Sequence, residues 1–157
     1  MTGGLYCLDT SALIDGLERY YPEANFPALW ERVDELIEAG RFFISEEVWE
    51  ELQQKDEVAQ EWARTRLGGL VVATDGPVIT ATQRVLRNHE LLVKNMKGRN
   101  RADPFVIAVA QTRGAIVVTG EGGDGNARKP KIPYVCQELG LHCIRFLDVV
   151  RAEGWRF

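Results

Sequence analysis

A chain of 157 residues has the usual size of one domain and can bury a sizeable core. Its 45% hydrophobic and 27% charged residues are globular proportions, and no run approaches the roughly 18 apolar residues of a membrane span. A net charge of -4 excludes a surface that attracts nucleic acid everywhere, but leaves room for a local basic patch and for carboxylates gathered in one place.

The opening Met1-Thr2-Gly3-Gly4 carries no basic segment, and Asp9 breaks the apolar run behind it, so no signal peptide is expected. Leu5-Tyr6-Cys7-Leu8 reads as a short strand ending at Asp9, followed by a helical pattern from Ser11 to Leu17. Phe26 and Pro27 open a stronger helix, with Leu29, Trp30, Val33, Leu36 and Ile37 at helical spacing and Gly40 closing it. Phe42-Phe43-Ile44 is a second strand. Ser45 can cap the next helix, whose apolar side includes Val48, Trp49 and Leu52. A further helical stretch from Glu57 to Leu67 turns Val58, Trp62 and Leu67 inward. Gly68 and Gly69 break the chain before Leu70-Val71-Val72-Ala73, a strand or an extended connection.

Pro77 restarts a long helix through Val78, Val85, Leu86 and Leu92, and a basic, loop-like segment runs from Lys94 to Arg101. Asp103 and Pro104 begin a helix through Ala110 that Gly114 ends. Ala115 to Thr119 is the clearest strand, with a glycine-rich loop from Gly120 to Gly125 behind it. A helix near Tyr134 to Leu139 stops at Gly140, then come a short strand from His142 and a helix from Leu147 to Ala152. Short buried strands alternating with helices predict one α/β domain over residues 1–157, with helices on both faces of a mainly parallel sheet. The cysteines, Cys7, Cys136 and Cys143, are odd in number and lack C-x-x-C spacing, so free buried thiols and a reducing cytoplasm are expected.

In open parallel sheets, ligands bind beyond the carboxyl ends of the strands. Asp9 ends the first strand, Glu121 lies two residues past Thr119, and Asp124 is three further on. Asp103 opens the helix feeding that strand. Glu47, Glu50 and Glu51 lie on the helix after the second strand, and Glu51 directly precedes the core residue Leu52. Each acid alone has a purely structural explanation: Asp9 as a helix N-cap, Asp103 as an N-cap before proline, the glutamates as an acidic first turn, Glu121 and Asp124 as loop polarity. Brought together, carboxylates repel and raise one another's pKa unless a cation holds them. Oxygen ligands without His or Cys suit Mg2+ or Mn2+ rather than zinc, and such ions serve phosphodiester hydrolysis.

Four segments resemble the motifs of PIN-domain proteins. Leu8-Asp9-Thr10-Ser11-Ala12-Leu13-Ile14 resembles their opening, and Val48-Trp49-Glu50-Glu51-Leu52 their second acidic motif. Ala102-Asp103 with the apolar helix after it is similar to the third, and Val117-Val118-Thr119-Gly120-Glu121 to the fourth, with Asp124 matching a further acid. The motifs keep the family's order and span residues 5–124. The resemblance implies a three-layer α/β/α sandwich with a central sheet of about four to five strands. It also implies a Mg2+- or Mn2+-dependent endoribonuclease, in small prokaryotic members often the VapC-type toxin of a toxin–antitoxin pair. Carried over by position, Asp9, Glu51, Asp103 and Glu121 would be catalytic metal ligands, Asp124 a fifth, and Ser11 the residue orienting Asp9 or a metal-bound water. The chain departs from the pattern at Glu121, where Asp is common. It departs again in its extra helix over Phe26 to Ala39, in Pro130 to Cys136, and in its Gly154-Trp155-Arg156-Phe157 tail. These features resemble a less characterised branch.

Arg84, Arg87, Lys94, Lys97, Arg99 and Arg101 precede Asp103, and Arg128, Lys129 and Lys131 follow Asp124. Flanking an acidic site, such side chains would hold an RNA backbone, with Arg99, Arg101, Arg128 and Lys129 chosen; ordinary solvated charge explains them equally well. Trp30, Trp49 and Trp62 read as core or interface, and Trp155 as cover for an apolar patch at a homodimer contact. The expectation is thus a cytoplasmic enzyme acting on RNA, with an antitoxin protein and a second copy as partners and no membrane. A phosphatase with a nucleophilic Asp would need a second Asp where Ser11 stands. The other reading is a catalytically silent PIN-like module that binds RNA or a protein.

Overall fold

The computed structural model describes residues 3–91, 102–121 and 130–157. Five strands, β1 (Tyr6–Leu8), β2 (Phe42–Ser45), β3 (Val71–Val72), β4 (Ile116–Val118) and β5 (Cys143–Ile144), form one sheet in the order β3-β2-β1-β4-β5. Every pairing is parallel. Parallel neighbours need crossovers, and helices supply them on both faces. The architecture is the expected three-layer α/β/α sandwich, with five strands.

Helix α1 (Thr10–Ile14), a π-helical segment (Asp15–Tyr20) and α2 (Pro27–Glu38) carry the chain from β1 to β2. Helices α3 (Glu46–Lys55), α4 (Glu57–Arg64) and α5 (Leu67–Leu70) lead to β3. Next come α6 (Gly76–Asn88) and α7 (Asp103–Arg113); then α8 (Ile132–Leu139) joins β4 to β5, and α9 (Phe146–Glu153) follows.

β1 is central because it is apolar at successive positions: Tyr6, Cys7 and Leu8 are all fully buried, as a strand covered on both faces requires. Phe42 and Phe43 show the two faces. The Phe42 ring meets Trp62 and Phe146 edge-on, and these join Trp30 in an aromatic cluster under α2, α4 and α9. Phe43 turns the other way, to the guanidinium of Arg113 on α7. Cys7, its neighbour in register, donates to the Val106 carbonyl on the same helix. Registering Tyr6 with Ile116 and Leu8 with Val118 levels the carboxyl ends of β1 and β4, so Asp9 and Thr119 emerge side by side.

Three local expectations are corrected. Val58 is half exposed, and α4 buries Ala59, Trp62 and Ala63 instead, at i, i+3 and i+4. Gly68 and Gly69 do not break the chain but form the middle of α5. A Cβ on Gly69 would stand 3.1 Å from Ile37 Cγ2, so the missing side chain lets this turn lie on α2. Asp103 is the first residue of α7 rather than its cap; the cap position is Ala102. Cys7 and Cys136 are buried, Cys143 half-buried, and all three are free. Among the described residues, no helix is long and apolar enough to cross a membrane.

Candidate active site

Beyond β1 the chain turns toward β2 on one side, while β4 lies on the other, so the carboxyl edge of β1 is a topological switch point where a crevice opens. Asp9 occupies it. Its Oδ1 accepts from Ala12 N at 2.7 Å and from Ser11 Oγ at 2.9 Å, and Oδ2 accepts from Thr119 Oγ1. The N-cap role and a place at the sheet edge are therefore both real for this one residue. Asp9 is almost wholly buried. Burial pushes its carboxyl up to about 7, against the lowering effect of those three hydrogen bonds, with a smaller push from the Glu121 charge.

Ser11 and Thr119 form a relay around Asp9. Ser11 Oγ also accepts from Gly120 N at 3.0 Å, and Thr119 Oγ1 accepts from Glu121 N at 3.0 Å. Each hydroxyl thus ties the Asp9 carboxylate to the backbone leaving β4. Glycine suits this close approach, since a Cβ on Gly120 would run into the Asp15 carboxylate and stand 3.2 Å from the Ser11 backbone.

Asp103 opens α7, where the helix dipole favours negative charge. It is buried, and its Oδ2 has no hydrogen-bond partner among the described residues. Burial raises its pKa well above the usual carboxylate range, followed by the charges of Glu121 and Asp9, a hydrogen bond shared with Glu121, and the Glu51 charge. Glu121 accepts at Oε2 from Ile132 N, the first residue of α8, at 2.9 Å. The longer side chain that departs from the PIN pattern spans from α8 to Asp103.

Glu51 completes the set from α3. Its Oε1 accepts from Thr10 Oγ1 and lies 3.7 Å from Lys55 Nζ, and its Oε2 accepts from Ala102 N at 3.2 Å. Of the four glutamates on this helix, it is the one whose charge acts on Asp103. Glu47 is held elsewhere, accepting from Thr74 Oγ1 at 2.8 and 3.0 Å, and Glu50 is exposed. Asp124, Arg99, Arg101, Arg128 and Lys129, with Lys94 and Lys97, lie outside the described residues. Arg84 and Arg87 are exposed on α6.

Among the described residues, no three of these side chains stand close enough together to hold a cation as they are placed. Yet the electrostatic coupling of Asp103 to three other acids puts all four in one neighbourhood. The two observations agree if the carboxylates, without a cation, are tied to hydroxyls and backbone N–H groups. The unpartnered Asp103 oxygen is what fits a divalent ion, because a buried acceptor with no donor is costly and positive charge would relieve it.

Sequence reasoning missed four side chains at this edge. Thr10 holds Glu51 and Thr119 holds Asp9. Asp15 lies beside Gly120, and Arg145 Nη1 donates to the Gly120 carbonyl at 2.9 Å. Asp15 stands one helical turn past Ser11, a spacing visible in the sequence. Arg145 carries no such signal, because its position depends on β5 lying beside β4.

The molecule is thus an all-parallel α/β protein with four acids gathered at the switch point of its sheet. A family model described as "Domain of unknown function (DUF4411)" matches residues 6–157, and the chain belongs to that family. No curated protein matches it.

Proposed function

We propose that this protein is a Mg2+- or Mn2+-dependent ribonuclease in which Asp9, Asp103, Glu121 and Glu51 hold the cation, and that it serves as the toxin of a toxin–antitoxin pair. The observation carrying this reading is Asp103, a buried carboxylate with an unpartnered oxygen, raised well above its usual pKa by burial and by its acidic neighbours. Such an arrangement destabilises a fold and is retained where charge is needed. The bound ion would polarise a phosphoryl oxygen and activate water for attack on phosphorus. Ser11 and Thr119 keep the two Asp9 oxygens fixed, so that little reorganisation accompanies binding. Glu121, anchored on the first turn of α8, holds its carboxyl beside Asp103. Basic residues that flank Asp103 and Asp124 in the sequence, with Arg99, Arg101, Arg128 and Lys129 the first choices, would take the RNA backbone.

A silent RNA- or protein-binding module is favoured by one observation: the Glu51 carboxylate is already engaged by Thr10, Ala102 N and Lys55. Purified protein incubated with a mixed-sequence RNA and Mn2+ separates the readings. Cleavage by wild type, abolished by chelator and by Asp9→Asn or Asp103→Asn, is the expected result. No cleavage of any RNA would leave the binding module. Growth arrest on expression in a bacterial host, relieved by Asp103→Asn and by co-expression of the neighbouring gene, tests the toxin role.

A further inference from the structure

A cleft of about 210 Å³ opens beside the acidic cluster and shares Thr119 and Gly120 with it. Tyr20, Tyr21 and Phe146 give it aromatic walls, while Asp15 and Arg145 place one charge of each sign on its lining. None of the four acids lines it, so it borders the reaction centre rather than forming it.

The local sequence builds this cleft deliberately. Tyr21 N donates to the Gly16 carbonyl at 2.9 Å, a bond five residues back that marks the π-helical segment Asp15–Tyr20. Single π-helical turns inside α-helices recur at functional sites because they redirect side chains. Gly16 permits it: a Cβ there would meet the Phe146 ring at 3.1 Å. The close approach sets Phe146 against Tyr21, with ring centroids 5.6 Å apart, and leaves Tyr20 more than half exposed.

We infer that this cleft is a nucleobase subsite and that the base it takes is an unpaired guanine next to the scissile phosphate, an inference that rests on the RNA-cleaving reading above. Aromatic walls suit a flat, unstacked base, which single-stranded RNA can present with its Watson–Crick edge open. Asp15 is acceptor-only and Arg145 donor-only. Guanine alone among the four RNA bases offers adjacent N1–H and N2–H2 donors for a carboxylate together with adjacent O6 and N7 acceptors for a guanidinium. Arg145 gives one of its five N–H groups to Gly120 O, so a base bound there is tied to the residue that follows Thr119. Asp15 also pairs with the exposed Arg19 at 3.5 Å, which screens it modestly from outside.

The test is titration of the wild-type protein, in chelator, with GMP, AMP, CMP and UMP, followed by backbone amide NMR shifts. GMP is expected to bind about tenfold or more tightly than the others and to shift Tyr21, Gly120 and Arg145, since a bidentate contact to one base edge discriminates by about that factor. Asp15→Asn should erase that preference while its spectrum stays folded. Equal response to all four nucleotides, shifts elsewhere, or no response overturns the assignment; a cleft indifferent to nucleotides would be left to a protein side chain. GMP binding here without Mn2+-dependent RNA cleavage would overturn the nuclease reading and leave the base subsite standing. Cleavage without nucleotide binding would do the reverse.

Discussion

Replacing Asp103 by Asn keeps the side chain's shape and removes a charge that burial, Glu121, Asp9 and Glu51 all disfavour. In chelator at pH 8, Asp103→Asn is therefore expected to stabilise the protein by about 1–3 kcal/mol, read by urea denaturation. RNA cleavage should vanish in the same variant. Gain in stability with loss of activity is the signature of a functional carboxylate; a destabilised variant would make Asp103 a structural support of the first turn of α7. The same groups set a pH dependence. The folded pKa of Asp9, about 7, lies above its unfolded value, so the folded state binds more protons between about pH 4 and 7. Stability of the metal-free protein should thus be fullest from this group below about pH 4 and fall as pH rises from there to about 7, with Asp103 acting in the same direction. Urea midpoints that stay level or rise from pH 5 to 8 would remove the buried acids from this role.

At the scale of elements, helix starts, glycine stops and the apolar runs of β1, β2 and β4 were readable because each has a local cause. Ser45 caps α3 through a 3.2 Å bond from Val48 N, and Gly114 ends α7 in the left-handed conformation, both as their residue types predict. Helix α4 is legible only in part, for an equally local reason. Trp62 is inward as expected, but its buried partners Ala59 and Ala63 are small, so Val58, one turn before Trp62, reads as inward although it lies at the exposed edge of that stripe. Trp62→Ala should cost about 3–5 kcal/mol, since it empties a cluster shared with Trp30 and Phe42, whereas Val58→Ser should stay within about 0.5 kcal/mol. Thermal melts of the two variants check this, and a severe loss in Val58→Ser would reverse the orientation of α4. The π-helical segment and the embedded Gly68 and Gly69 were not legible, because both depend on close packing against Phe146 and Ile37.

For the whole molecule, the alternation of strands and helices was enough for an α/β sandwich, but not for the strand order. Nothing local says that β4 sits beside β1, yet that neighbourhood brings Thr119 to Asp9 across 110 residues of chain. Resemblance to PIN motifs supplied the four acids as a set. The placing of β1 and β4 side by side explains in physical terms why Asp9, Asp103 and Glu121 fall within electrostatic reach of one another. A chain of net charge -4 that buries two of its carboxylates at one edge has concentrated repulsion where a cation would neutralise it. Mn2+ binding followed by electron paramagnetic resonance at pH 7.5 tests this most directly. A saturable site in wild type, weakened at least about tenfold by Asp103→Asn and by Glu121→Gln but unchanged by Glu47→Gln, is the predicted result. Equal binding by wild type and Asp103→Asn, or no saturable site in either, would contradict it.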